Sequence, residues 1–242
     1  LCRKVGLRSC KELREAKKVD CDRKGLSTAD LALLGTLASV LPALEDLALH
    51  DSAGAAGPPD GGQRLFEGLG ANALPSVTRL SLISMHVGDA GVSALAAALG
   101  RGAMPLLMFL NLSRAAIGDA GLVALAPALR RLPALEHLSL WNNLFGDEGL
   151  AALVAPLPAG ALSTATGGLK KLKVLNLRNA QITDAGCAAL AAALESGALP
   201  ALDEYGLSLF GIPASAAAKA AVQEALATSR PALLAAGGRS PF

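Results

Sequence analysis

Residues 107–129 read LMFLNLSRAAIGDAGLVALAPAL, and the order of residue types in this stretch decides the architecture. Leu107, Leu110 and Leu112 are spaced three then two apart, and the last pair has the period-two signature of a short strand with one buried face. Ile117 continues the apolar layer past a turn, Gly118-Asp119-Ala120-Gly121 opens a helix, and Leu122, Leu125 and Leu129 recur at helical spacing. The same frame fits residues 77–99, 135–157 and 172–194, with weaker copies from Ala16, Leu44 and Leu202. The starts are separated by 28 to 37 residues. Each copy predicts strand, turn and helix, a unit that cannot bury its apolar side alone. Stacking the copies buries one continuous core, so the period means a solenoid of about seven repeats.

Asp89, Asp119, Asp147 and Asp184 stand at equivalent helix starts. Asp there is expected to accept from the free N–H groups of its own first turn, with Thr183 as a further N-cap. Both ends predict caps. Ser9 with Glu12 forms a capping-box pattern opening a helix from about Cys10 to Lys17. Pro213-Ala214-Ser215 precedes a helix to about Thr228, with Ala217, Ala220, Ala221 and Leu226 available to cover the last layer. Residues 230–242 read as a tail. Two copies are lengthened, by the loop stretches from Asp51 and from Pro158, and surface loops accept insertions cheaply.

With these motifs in place, the chain resembles the leucine-rich repeat family, in its longer subtype of the ribonuclease-inhibitor class, shared with Ran GTPase-activating proteins and NOD-like receptors. The likeness covers roughly residues 16–212. It implies an α/β fold, a right-handed horseshoe with parallel strands on the concave face and helices on the convex face. The division is then an N-terminal cap (1–15), a repeat domain (16–212), and a C-terminal capping helix with tail (213–242). The family places Asn or Cys where the strand turns. Here those positions read Lys24, Ser52, Met85, Ala115, Asn143, Ala180 and Phe210, so only Asn143 keeps the family residue and Ala packing is expected to substitute.

Composition agrees with many thin layers. Hydrophobic residues make up 52% but aromatics only 3%, so the apolar mass is Leu and Ala. Mean hydropathy is +0.44, yet the most apolar stretch, from Gly149, is broken by Pro156 and Pro158, and no membrane insertion is expected. The net charge of +2 is unevenly placed: residues 1–24 carry nine basic against four acidic side chains. Those basic residues are not interleaved with aromatics, which disfavours nucleic acid. Cys2, Cys10, Cys21 and Cys187 lack zinc spacing. Cys21 and Cys187 are expected to be buried, while Cys2 and Cys10 could bridge in an oxidising compartment. Low cysteine usage and the absence of an apolar leader at Leu1–Cys10 favour the cytoplasm, and the opening Leu leaves a removed targeting segment open.

Chemistry is hard to find in this sequence. His50, His86 and His137 fall in different repeats without a second ligand at helical spacing, and neither Gly-rich loop has the P-loop frame. No cofactor is expected, and no enzymatic activity. What remains is a surface of outward strand positions: Phe109, Asn111, Ser113 and Arg114, then His137, Trp141 and Asn142, then Arg178 and Asn179. The only Trp lies among Arg and Asn, and Trp and Arg are enriched at interface hot spots. The reading is a non-enzymatic scaffold that binds a protein partner through the concave face. Two alternatives stand beside it: a GTPase regulator, from the likeness to the Ran-activating branch, and a subunit of a larger complex held through an alanine-rich convex face.

Overall fold

The computed structural model describes residues 1–229 other than 3, 23, 51–59 and 156–168. The lengthened loops of the sequence reading therefore fall mostly outside the described residues, as does the tail. Seven parallel strands form one sheet in chain order: β1 (Lys18–Asp20), β2 (Asp46–Ala48), β3 (Arg79–Ser81), β4 (Phe109–Asn111), β5 (His137–Ser139), β6 (Val174–Asn176) and β7 (Leu207–Ser208). Eight α-helices accompany them among the described residues: α1 (Cys10–Glu15), α2 (Thr28–Leu37), α3 (Gly61–Glu67), α4 (Gly88–Gly100), α5 (Asp119–Leu129), α6 (Asp147–Val154), α7 (Asp184–Glu195) and α8 (Ala216–Ser229).

The register keeps one inward residue per strand. Val19, Leu47, Leu80, Leu110, Leu138, Leu175 and Leu207 are paired across successive strands, and all are buried. Successive helices pack on one another from α2 to α8. Strands lie about 4.8 Å apart and packed helices about 8–10 Å. A stack that satisfies both spacings curves, with the sheet on its inner side.

What joins one repeat to the next is not what the sequence reading expected. The Asp at each helix start caps the following repeat rather than its own. Gly118 N–H donates to Asp89 at 2.7 Å, and Gly146 and Gly149 N–H donate to Asp119 at 2.8 and 2.7 Å. Thr183 and Gly186 N–H donate to Asp147, and Ser215 donates to Asp184 through both N–H and hydroxyl. Gly121, Gly149 and Gly186, two residues after an Asp, receive this carboxylate, while Gly91 faces Val87 instead: a Cβ at Gly121 would stand 2.4 Å from Asp89 Oδ1, and one at Gly186 would stand 2.3 Å from Asp147 Oδ1. The Asp-x-Gly phrase is a joint with two halves.

Asn143 is the other joint. Its side chain is buried, accepts from Ala115 and Ile117 N–H at 3.1 and 3.0 Å, and donates to Leu112 and Leu140 carbonyls at 2.9 Å each. Ala115 and Ala180, at the same position in the flanking repeats, are fully packed. Substitution by Ala at those positions is as expected.

Three expectations need correction. The frame from Leu202 put Phe210 at the turn, but Leu207 pairs with Leu175, which moves the last repeat on by two residues. A turn in which Gly206 N–H donates to Asp203 Oδ1 absorbs the extra length, and Gly206 approaches Lys173 so closely that a Cβ would stand 1.9 Å from its carbonyl oxygen. Ile212 takes the buried turn position instead. At the N-terminus α1 stops at Glu15, because Ala16 is already extended at φ −67, ψ 127. Ser9 does cap it, but Glu12 accepts from Arg8 N–H, so the box is only half made. A complete capping box lies instead at Ser27 and Asp30 of α2. At the C-terminus Val222, Ala225 and Leu226 cover the last layer, while Ala217, Ala220 and Ala221 face outward.

Alanines on the helical side divide in the same way. Ala98 and Ala193 are buried between helices, whereas Ala97, Ala188 and Ala192 are exposed and Ala96, Ala151, Ala152, Ala155 and Ala189 half-buried. Small side chains let neighbouring helices approach. Cys21 and Cys187 are buried, as their sequence positions predict.

Candidate interaction face

The inner face of the sheet is built from the residues that flank each inward leucine. Hydrogen bonding runs on past the short strands: Arg114 N–H donates to Trp141 O, Asn142 to Arg178 O, and Asn179 to Phe210 O, at 2.8, 2.8 and 3.0 Å. Trp141, Arg178 and Phe210 are therefore successive members of one column, one per repeat. Directly after this column the backbone turns left-handed. Ser84, Arg114, Asn142 and Asn179 have φ between 54° and 60°, and Gly211 has φ 77°. Asn tolerates this conformation better than most residues. This gives Asn142 and Asn179 a structural reason to be there. Asn179 also packs its side-chain oxygen where a Cβ on Gly211 would lie.

The expected site residues thus separate. Ser113 is buried, its hydroxyl donating to Asn111 Oδ1 and lying 3.0 Å from Ser139 Oγ. Asn111 Oδ1 also accepts from Ser113 N–H, an Asx turn that Asn176 repeats with Arg178. Ser113 does not reach the surface patch, and the polar contacts of Asn111 hold the turn. Phe109, His137 and Trp141 are half-exposed, and Arg114 and Arg178 are exposed.

These side chains are brought together as cation–aromatic pairs, each Arg leaning on an aromatic ring of the next repeat. Arg79 lies 3.8 Å from the centroid of Phe109, Arg114 lies 6.0 Å from that of Trp141, and Arg178 lies 5.2 Å from that of Phe210. Phe109 in turn meets His137 at 5.8 Å between ring centroids. Sequence reasoning missed Arg79 and Phe210. Arg79 falls two residues after Val77, the same outward position as Phe109, so the signal was present. Phe210 was hidden by the shift in the last repeat.

Charge divides the face along its length. In the first repeats Lys17 pairs with Glu45 at 2.9 Å, and Lys18 lies 3.5 Å from Asp20 and 3.9 Å from Asp46. In the later repeats Glu136 is held by Lys173 at 2.8 Å, which draws its carboxyl below the usual carboxylate range. Among the described residues, Arg79, Arg114 and Arg178 have no acidic group within 4.0 Å. No group of three or more His, Cys, Asp or Glu that could hold a metal ion occurs among the described residues. No helix there is long and apolar enough to cross a membrane.

Comparison with known proteins bears on the same repeats. A family model described as Leucine Rich repeat matches residues 103–126, 132–154 and 168–191. Those segments carry Phe109, Arg114, His137, Trp141 and Arg178. Among solved structures the chain is similar to one in "Crystal structure of Rad7 and Elc1 complex in yeast", at 16% identity over 83% of this chain and 71% of that one, with a TM-score of 0.28. No curated protein matches. Seven parallel strands in one sheet, alternating with helices, and three matched repeats fit an α/β solenoid fold of the leucine-rich repeat kind.

Proposed function

We propose that the protein is a non-enzymatic interaction scaffold that holds a protein partner on the inner, strand side of the solenoid. The observation that carries this reading is the set of Phe109, Trp141 and Phe210, each with a guanidinium from the preceding repeat beside it and, among the described residues, no carboxylate within 4.0 Å of those guanidiniums. Phe210 is 71% exposed and Tyr205 is 90% exposed, so aromatic surface stands open at the end of the sheet. A large aromatic with an adjacent cation combines apolar area with directional donors, the combination found where interface energy concentrates. Repeat length and the Asp-x-Gly helix start support the ribonuclease-inhibitor-like subtype.

Site-specific photo-cross-linking tests the reading. A photoreactive amino acid at position 141 on the strand side should capture a partner from native extract, and one at Ala97 on the helical side should not. Capture through position 97 alone would replace this reading with that of a subunit held by its helical face.

A further inference from the structure

The outward column of the later repeats has an order that bears on what it binds. From repeat to repeat it runs Arg114, Trp141, Arg178, Phe210, with Arg114 contributed from the adjoining left-handed position. Cations alternate with aromatics. Each guanidinium lies against the ring that follows it. A guanidinium beside a ring keeps donors on its outer edge, and those match a carboxylate in bidentate fashion. Among the described residues, two such edges stand here with no acidic group within 4.0 Å, while Lys17 and Lys18 of the first repeats are paired with Glu45 and Asp46.

Spacing narrows the ligand further. Arg114 and Arg178 are two repeats apart, about 9.6 Å at an inter-strand distance of about 4.8 Å. In a β-strand, side chains on one face recur about every 6.7 Å, which brings neither the next nor the second-next into step. In a polyproline II helix every third side chain points the same way, about 9.3 Å on. From this, building on the strand-side reading above, we infer that the Arg114–Trp141–Arg178–Phe210 ladder receives an acidic polyproline II segment of a partner protein, with carboxylates three residues apart. The flat ring of Trp141 between the two cations suits the apolar backbone and proline surface between the two acids. A single-stranded nucleic acid also uses cations and aromatics, and an oligo(dT) strand among the probes separates the two.

Short synthetic peptides test this, because Trp141 is the only Trp of the chain and reports occupancy by its own fluorescence. The probes are blocked peptides containing Glu-Pro-Pro-Glu, the spacing variants Glu-Pro-Glu and Glu-Pro-Pro-Pro-Glu, the neutral Gln-Pro-Pro-Gln, and an oligo(dT) strand. Glu-Pro-Pro-Glu should bind at least fivefold tighter than either spacing variant and at least tenfold tighter than the neutral peptide. Arg114→Gln and Arg178→Gln should each weaken it at least fivefold, with Arg131→Gln, exposed on the helical side, as a control within twofold. Equal binding of charged and neutral peptides would overturn the inference. So would tighter binding of oligo(dT), or no response from any peptide at millimolar concentration. The strand-side reading is judged separately, by where the photo-cross-links form, so either can fail alone.

Discussion

Gly149 donates its N–H to Asp119 Oδ1 across 2.7 Å, and a Cβ at position 149 would stand 2.8 Å from that same oxygen. One contact thus explains both an acid and a glycine, thirty residues apart in sequence and adjacent in the stack. The carboxylate also accepts from Gly146 N–H, so the start of α6 is capped by the repeat before it.

Gly149→Ala should destabilise the protein even though Ala is the better helix former by about 1 kcal/mol. The methyl group displaces a carboxylate making two hydrogen bonds, each worth about 1.5–3 kcal/mol when the acceptor is charged. A net loss of about 2 kcal/mol is expected in chemical denaturation, and a similar loss for Asp119→Ala. The double variant is the sharper measurement. Once the oxygen is gone, the alanine should cost at least 1 kcal/mol less. Strict additivity would show that the joint does not exist.

Asn143→Ala should be costlier. Its four hydrogen bonds are buried, and the variant leaves Ala115 N–H, Ile117 N–H, Leu112 O and Leu140 O without that partner. Buried unsatisfied groups cost about 1–3 kcal/mol each, and a loss of about 3 kcal/mol is expected. An unfolding curve within 1 kcal/mol of wild type would mean water replaces the amide.

The layered order of strand, turn and helix was legible in the sequence because each inward position is filled by its own residue type. Leu110, Leu138 and Leu175 say the same thing three times. The Asp-x-Gly joint was visible as a motif but not as a contact, since nothing in one repeat shows that its acid reaches into the next. The surface was legible at Trp141, Arg114 and Arg178, where bulk and charge stand out. It was not legible at Ser113 and Asn111, where short polar side chains close a turn on themselves. Phe210 escaped because two extra residues around Gly206 shift the frame, and only pairing with Leu175 fixes the register.

Acid should loosen the stack in a definite window. Lys4, then Ser27, hold the Asp30 carboxyl well below its ordinary value, and Ser215 N–H, then its hydroxyl, lower that of Asp184. A carboxyl whose folded value is depressed contributes stability above its unfolded value and loses it as pH falls through the folded one. The melting temperature should therefore be nearly flat from pH 7 to 5 and decline below about pH 4, the ordinary carboxylate range. Ser215→Ala should shallow that decline. A slope unchanged in this variant would remove the Ser215 hydroxyl from the account, leaving its N–H.

Thiol reactivity should sort the four cysteines. Burial pushes the Cys21 thiol up to about 11 and raises that of Cys187, so neither should react with iodoacetamide at pH 8 in the folded protein. Cys10 is exposed, and its sulfur lies 3.6 Å from that of Cys2. Oxidised glutathione should join these two, with loss of two protons and two electrons from the pair and reduction of the glutathione disulfide. Closing so short a loop should stabilise the folded chain by about 2–3 kcal/mol. Mass spectrometry of a tryptic digest identifies the product. A Cys21 or Cys187 adduct without denaturant would contradict the packing.

Trp141→Ala separates a binding surface from a structural one. The ring lies on the outward side of the sheet while Leu138 and Leu140, just before it in sequence, fill the core. Leu138→Ala should cost about 3 kcal/mol through the cavity it leaves. Trp141→Ala removes a half-exposed side chain whose ring centroid lies 6.0 Å from the Arg114 guanidinium. Exposed cation–aromatic pairs are worth about 0.5–1 kcal/mol, so the melting curve should hardly move. At a hot spot the loss in partner affinity is on the order of 2 kcal/mol, roughly thirtyfold. The same partner should then bind Arg114→Gln more weakly, with a smaller dependence on salt, because one charge contact is gone. A large fall in melting temperature for Trp141→Ala would make the ring structural. Unchanged affinity for a partner captured at position 141 would mean that the ring marks the face without supplying its energy.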